Sequence, residues 1–354
     1  MTNGNSSGET IGLDLSDRTE LYVVINAAGQ SVGEGKVMLS EEGLRRVFGA
    51  RQPCLIAIEV GTHSPWISRL LGELGHEVLV ANPRQVKLIS HGGKKTDRLD
   101  AENLARLARY DRKLLRPIQH RGVEVQTDRA RIMARKSLVE ARTRLITSVR
   151  GMVKAVGGRL AKCSAESFAA KVSSHLPELL RPALEPMLEA IQQLTVQIKT
   201  MTRELERLAD EHYPETRLLR QVPSVGPIGS LTYALTIEDP RRFSRSRQVG
   251  AYLGLTPRQR DSGDQRPQLH ISKAGDDYLR SLMVQCAHYT LGPFGPDSDL
   301  RRWGLRLAGA GNQARKNKAI IAVARKLSVL LHRLWLSGEA YEPLRQAARL
   351  AVAA

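Results

Sequence analysis

The sequence predicts an α/β domain followed by a long helical middle region and a mostly α-helical third unit. Three observations carry this reading: short apolar runs separated by turn residues over the first third of the chain, a seven-residue apolar repeat from Val125 to Val153, and a later segment whose helical pattern is broken by Gly- and Pro-containing turns. The implied divisions are 1–118, 119–212 and 213–354. With 354 residues and 42% hydrophobic content, the chain is long enough to bury cores for two or three units.

The opening "MTNGNSSGET" is polar, without a basic or an apolar leader region, and is expected to be a frayed tail. Over 11–39 the runs "IGLDL", "ELYVVINAAGQ" and "GEGKVML" alternate with polar or Gly-containing breaks, which predicts a three-stranded meander. An amphipathic helix from Ser40, a strand carrying Glu59, a helix over 64–74, the strand "EVLVANP" and a helix carrying Asp97 and Asp100 follow. Strands succeeded by alternating helix and strand indicate one mixed sheet.

The period then changes. Val125, Ile132, Val139, Ile146 and Val153 recur every seven residues, and Met187, Ile191, Leu194, Ile198, Met201, Leu205 and Leu208 keep a four-three alternation. Two heptad helices predict an antiparallel hairpin or an intermolecular coiled coil, with an ordinary bundle packed on its own domain as the plainer alternative. Beyond Pro214, "QVPSVGPIGSLTYAL" reads as a helix-hairpin-helix-like element whose turn can offer backbone N–H groups to a phosphate. An amphipathic helix over 319–336 is expected to serve core or interface.

Charge points to the partner. Lys and Arg number 54 against 36 Asp and Glu, giving +18 and a pI near 10.2, which favours a polyanion and nucleic acid before a membrane surface. Within 112–162 stand fourteen Lys/Arg and three Asp/Glu, so Arg121, Arg131, Arg135 and Arg142 are the expected phosphate-tracking residues. Cys54, Cys163 and Cys286 are isolated and odd in number, which excludes a disulfide framework and a CxxC zinc site and suits a reducing, cytoplasmic interior. No segment approaches membrane-spanning length.

Four acidic residues suggest chemistry. Asp14 in "IGLDLS" and Glu59 in "LIAIEVGTHSPW" lie in or after apolar strand runs, where a carboxylate is costly to desolvate without a compensating cation. Asp97 and Asp100 in "KKTDRLDAENLARL" are three apart and share a helix face, although acidic residues after Thr96 also suit a helix start. Converging, the four carboxylates can hold a pair of Mg²⁺ (or Mn²⁺) ions about 4 Å apart, the arrangement used for phosphoryl transfer.

A second centre lies in "AYLGLTPRQRDSGDQRPQLHISKAGDDYLR", where Arg258, Arg260, Arg266 and Lys273 surround Ser262-Gly263. A serine on an exposed turn can present its hydroxyl to a phosphorus electrophile, with guanidinium groups balancing the developing charge. Ser244, Ser246 and Ser272 are rival hydroxyls, and spacing selects none of the four.

Taken in order, the acidic motifs, "KTDRLDAENLARL", "VPSVGPIGSLTYAL", "RRFSRSRQVGAYLGLTPRQRDSG" and "HISKAGDDYLR" resemble the insertion-sequence 110 family, the DEDD transposases, from about residue 11 to 287. The resemblance implies a first domain similar to the RuvC resolvase and RNase H fold, with divalent metal held by Asp14, Glu59, Asp97 and Asp100. It selects Ser262 as nucleophile, although relatives carry "SSGG" where this chain has "DSGD", so Asp261 and Asp264 depart from the pattern. It further implies a transposase that excises and inserts a mobile element through a phosphoserine DNA intermediate. The partners implied are donor and target DNA, a non-coding bridge RNA, and protomers joined by the coiled coil into dimers and a tetramer, with carboxylates and serine supplied by different protomers. Cytoplasmic location with nucleoid association on DNA follows from the same resemblance. A RuvC-like structure-specific endonuclease without a covalent intermediate and a non-catalytic nucleic-acid-binding factor are the alternatives.

Overall fold

The computed structural model describes residues 8–82, 96–260, 262, 267 and 269–345; residues 1–7 of the expected tail, Asp261, Gly263, Asp264 and Arg266 lie outside them, while Thr10, also expected in the tail, opens the first strand. The chain forms two units, Met1–Gly122 and Val123–Ala354. The middle and last segments separated by the sequence therefore share one unit.

In the first unit, strands β1 (Thr10–Asp14), β2 (Thr19–Ile25) and β3 (Ser31–Met38) make the expected meander. Helix α1 (Glu41–Phe48) starts at Ser40, whose hydroxyl accepts the Gly43 N–H. Strand β4 (Leu55–Glu59), helix α2 (Ser64–Glu73), strand β5 (Glu77–Ala81) and helix α3 (Asp97–Tyr110) follow. The sheet order is β3-β2-β1-β4-β5, with β4 and β5 parallel to β1. Alternation along the strands builds two apolar faces. Ile11, Leu13, Ile56 and Ile58 pack with Leu44, Phe48, Ile67 and Leu71 on the α1/α2 side, while Ala57, Leu79, Leu104 and Ala108 cluster on the α3 side. Buried His76 ties α1 to this sheet: its Nε2 donates to the Phe48 carbonyl at 3.0 Å, and its Nδ1 accepts the Cys54 N–H at 3.3 Å.

The second unit begins with helix α4 (Val123–Ala155), then the short α5 (Phe168–Val172) and the long α6 (Arg181–His212). Helices α4 and α6 run antiparallel within one chain: Ile132 packs with Leu205 and Ala209 near one end, and Val149 with Leu184, Leu188 and Ile191 near the other. Ile132 also meets Leu231 and Leu235. The middle segment is thereby sealed onto the last one.

Helices α7 (Glu215–Leu219), α8 (Pro227–Ile237), α9 (Arg247–Tyr252), α10 (Asp277–Leu291), α11 (Asp299–Ala308) and α12 (Gln313–Ser337) complete the unit. Residues 229–237 of α8 are all buried, and Tyr233 donates its hydroxyl to the Ser328 carbonyl at 2.7 Å. The segment expected to present a phosphate-binding turn thus uses its second helix as core, with Gly226 exposed at its start. The expected terminal helix is α12, which supplies Val323, Leu327 and Leu331 to the same core.

Candidate active site

Asp14 and Glu59 end neighbouring parallel strands. Leu13 pairs with Ile58, so the two acids follow one another across the same end of the sheet. Gly12 and Ala57 lie against α3, and side chains two residues further on share their face, which places both acids on the α3 side.

The direction of α3 brings its acidic first turn to the same end. Arg109, near the C-terminus of the helix, donates to the carbonyls of Gly8 at 3.0 Å and Ala27 at 2.5 Å, beside the start of β1. Ala101 lies over Gly12 in mid-strand. Asp97 and Asp100 therefore lie toward the Asp14 end of the strand. Thr96 caps this turn by accepting the Leu99 N–H at 3.3 Å, and Arg98 donates to Glu34 of β3 at 2.6 Å. Asp97 is exposed; Asp14, Glu59 and Asp100 are half-buried.

All four donors are hard carboxylate oxygens, the chemistry that suits a divalent cation of the Mg²⁺ type. Among the described residues they do not close into a ligating cluster. The sheet end collects them without bringing them into a finished coordination sphere.

Two further residues belong to this end. Glu20 is fully buried, its Oε2 accepts the Ser16 N–H at 2.9 Å, and its Oε1 has no hydrogen-bond partner among the described residues. Burial, with the negative charges of Asp14 and Asp17 adding to it, pushes the Glu20 carboxyl up to about 7. His63 in the loop after β4 reaches Asp17 in the loop after β1 at 3.7 Å. Glu20 carried the same signal as Asp14, an acid at the edge of an apolar strand. His63 carried none.

The serine lies in the second unit. A two-chain ribbon is held by the Pro257–Ile271 bridge, the Arg258 N–H to His270 carbonyl bond at 3.0 Å and the Ser272 N–H to Thr256 carbonyl bond at 2.8 Å. Ser262 lies beyond these rungs and is exposed, as are Arg258, Arg260 and Lys273. The ribbon base is tight: Gly254 and Gly275 have φ of +68° and +72°, and a Cβ on either would overlap backbone atoms of Ala274 or Tyr252. Lys273 adopts φ +53°, a costly angle for a side-chain-bearing residue, between these glycines. Arg280 braces the base by donating to the carbonyls of Leu253 and Ala274 at 3.1 and 2.8 Å.

The rival hydroxyls are engaged locally. Ser244 donates to Gln248 at 3.3 Å, Ser246 bonds the buried His332 at 3.0 Å, and Ser272 accepts the Ala274 N–H at 3.4 Å.

The fold divides the four arginines expected to track phosphate. Arg131 is 59% exposed and pairs with Asp128, and Arg121 is half-buried. Arg135 turns toward α6 and donates to Thr202 at 2.7 Å. Arg142 is only 5% exposed and donates to Thr195 and Glu166 at 3.3 and 3.2 Å. These two occupy the helix–helix seam, so their charge is directed into the hairpin.

Comparison with known proteins decides what this arrangement belongs to. A model of the DEDD transposases of IS110 elements matches residues 11–157, and one of the IS116/IS110/IS902 transposase family matches 216–299. A probable family 20 transposase of Pseudomonas aeruginosa is 31% identical over 344 residues, covering 94% of this chain and 98% of its own. The chain belongs to the IS110 family of transposases. A putative transposase (y4pF/y4sB) of Sinorhizobium fredii is 30% identical, covering 94% of this chain and 85% of its own. The transposase for insertion sequence element IS1111A of Coxiella burnetii is 27% identical, with coverage of 94% and 90%. This transposase is thus a DNA-processing enzyme of the phosphoryl-transfer class, and the acidic signature of its family implies a divalent cation. Among its described residues no helix is long and apolar enough to cross a membrane.

Proposed function

We propose that this transposase excises and inserts its element by joining DNA to Ser262 through a phosphate ester, with a structured bridge RNA selecting the DNA. The observation that carries the reading is the collection of Asp14, Glu59 and the first turn of α3 at one end of the sheet. The β3-β2-β1-β4-β5 order, with two antiparallel pairings followed by two parallel ones, supports an RNase H-like frame for these acids.

Asp14, Glu59, Asp97 and Asp100 would hold the cation, Mg²⁺ or Mn²⁺, whose charge when bound favours electron build-up on the phosphate and leaving oxygens. Ser262 supplies the nucleophile. Its Oγ forms a bond to phosphorus as the bond to a sugar oxygen breaks; the serine proton passes to solvent and the leaving oxygen acquires one. One phosphoester replaces another, so a strand hydroxyl can reverse the step without ATP. Arg258, Arg260 and Lys273 balance charge at the phosphate. The exposure of Ser262 is compatible with its selection, and the half-buried Ser246 and Ser272 are less open to a phosphate.

Arg131 and the other surface cations of 123–162 offer a phosphate-binding surface for RNA or DNA in the second unit, and Arg121 offers a further contact in the first. Dimers assembling into a tetramer would let carboxylates and serine come from different protomers.

Incubation with end-labelled element-end DNA and Mg²⁺, followed by denaturing electrophoresis and peptide mapping, tests the reading. The expected product is DNA covalently attached to the Ser262 peptide and absent in Ser262→Ala. Cleavage without an adduct, undiminished in Ser262→Ala, would instead assign a water-activating nuclease.

A further inference from the structure

The segment following α8 carries a second cationic feature, outside the serine ribbon. Arg241, Arg242, Arg245 and Arg247 fall within 239–247, against one acid, Asp239. Asp239 is occupied locally, accepting the Arg241 N–H at 2.8 Å. Arg241, Arg245 and Arg247 are exposed, and among the described residues no ion pair or hydrogen bond engages their guanidinium groups, Arg241 and Arg245 being bonded through their backbone N–H instead.

The loop beneath these arginines is fixed from inside the unit. His332 of α12 is fully buried and bonds the Pro240 carbonyl through Nε2 at 2.8 Å and Ser246 Oγ through Nδ1 at 3.0 Å. A carbonyl can only accept, so Nε2 carries the proton and Nδ1 receives the serine O–H. One imidazole therefore pins both ends of the loop. Burial holds it below the ordinary imidazole range, which preserves the neutral form in which Nδ1 can accept the Ser246 hydroxyl.

Aromatic packing fixes the middle. Phe243 meets Tyr252 and His332 edge-on at 5.3 and 5.6 Å, and the Arg242 guanidinium stacks over Phe243 and Tyr252 at 5.1 and 5.0 Å. Gln248 accepts the Arg245 N–H and the Ser244 hydroxyl, each at 3.3 Å. Arg242 thus serves packing, while the other three arginines stand outside a braced scaffold. A fixed loop spends less entropy on binding than a floppy one, and guanidinium groups match phosphate oxygens.

We propose that the 239–247 loop is a docking element for the phosphate backbone of duplex DNA, with Arg241, Arg245 and Arg247 as contacts and His332 as the positioning residue that holds them. The commitment to DNA rests on the transposase reading, since DNA is the polymer this family must hold. The role is scored by binding alone, so its failure leaves the Ser262 and carboxylate assignments untouched.

The test is fluorescence anisotropy of a labelled DNA duplex titrated with the full chain across a salt series. Replacing Arg241, Arg245 and Arg247 together by Gln is expected to reduce the magnitude of the log affinity versus log salt slope by about 2 to 3 units, near 0.9 per lost phosphate contact, and affinity by about tenfold or more. His332→Phe, which fills the space without either hydrogen bond, is expected to reproduce part of that slope change. His332→Gln, which keeps an N–H for the Pro240 carbonyl, is expected to recover it. An unchanged slope and affinity in the triple variant overturns the docking role, as does a loss confined to an RNA probe of equal length. A wild-type slope in His332→Phe removes the positioning role even if that variant melts earlier.

Discussion

Gly12 of β1 lies directly beneath Ala101 of α3, so close that a Cβ at Gly12 would overlap the Ala101 carbonyl oxygen and crowd the Ala105 nitrogen. This contact sets how near the acidic first turn of α3 comes to Asp14. Gly12→Val is expected to lift the helix from the sheet, destabilise the first unit by about 3 kcal/mol or more and abolish strand cleavage. Denaturant unfolding and a cleavage assay check this. A variant with wild-type stability and activity would mean that the helix does not seat on β1 as described.

Asp14→Asn and Asp100→Asn are expected to lose strand cleavage by a hundredfold or more, on the order of one catalytic group, while duplex binding changes less than about twofold. In the proposed mechanism the carboxylates serve the reaction, whereas exposed cations supply affinity. Cleavage at the wild-type rate in Asp14→Asn would remove that residue from the site.

Arg131 and Arg142 lie on one helix yet should behave oppositely. Arg142 is sealed in the seam with its Nε unbonded among the described residues, and its partner Glu166 is exposed enough to be solvated without it, so Arg142→Met is expected to change stability by only about 1 kcal/mol, with nucleic-acid affinity retained. Arg131→Gln is expected to leave the melting temperature within about a degree and to lower the salt slope by about 0.9. Equal losses of affinity in both variants would place Arg142 at the surface.

Glu20 makes stability depend on pH. Its carboxyl titrates near 7 in the folded chain and near 4.5 when unfolded. The folded state therefore holds a proton that the unfolded chain releases, so the stabilisation is complete below pH 4.5 and is lost as pH rises to about 7. The loss is on the order of 3 kcal/mol. Glu20→Gln keeps an acceptor for the Ser16 N–H and removes the titration, so the variant should gain on wild type steadily from pH 4.5 to 7 and hold that advantage above it. Thermal melts at pH 5 and pH 8 compare the two, and a constant difference would exclude the shift.

The sheet, its acids and the long helices were legible because they rest on local rules. Alternation and apolar runs mark β1 to β5, Thr96 marks the start of α3, and an acid in a strand run such as Asp14 stands out because burial opposes it. The heptads also located α4 and α6. The apolar repeat is one stripe, Val125, Ile132, Val139, Ile146 and Val153, while three residues along from its first four members stand Asp128, Arg135, Arg142 and Val149. The fold turns this second stripe inward as well: Asp128 accepts the Tyr213 hydroxyl at 2.7 Å, Arg135 and Arg142 reach Thr202 and Thr195, and Val149 joins the apolar cluster. Charge density alone could not reveal this, since an arginine belongs in a seam only when a partner helix supplies acceptors opposite it.

The sequence by itself determined the α/β order of the first unit, the basic character of the chain, the four acids and the family to which they point. Tertiary structure decided which side chains meet: α3 antiparallel to β1, Arg142 enclosed between two helices, His332 joined to both ends of a loop some ninety residues earlier in the chain. Periodicity and capping depend on neighbours within a few residues, so one strand of text carries them. Burial and pairing depend on groups distant in sequence, and only packing brings those together.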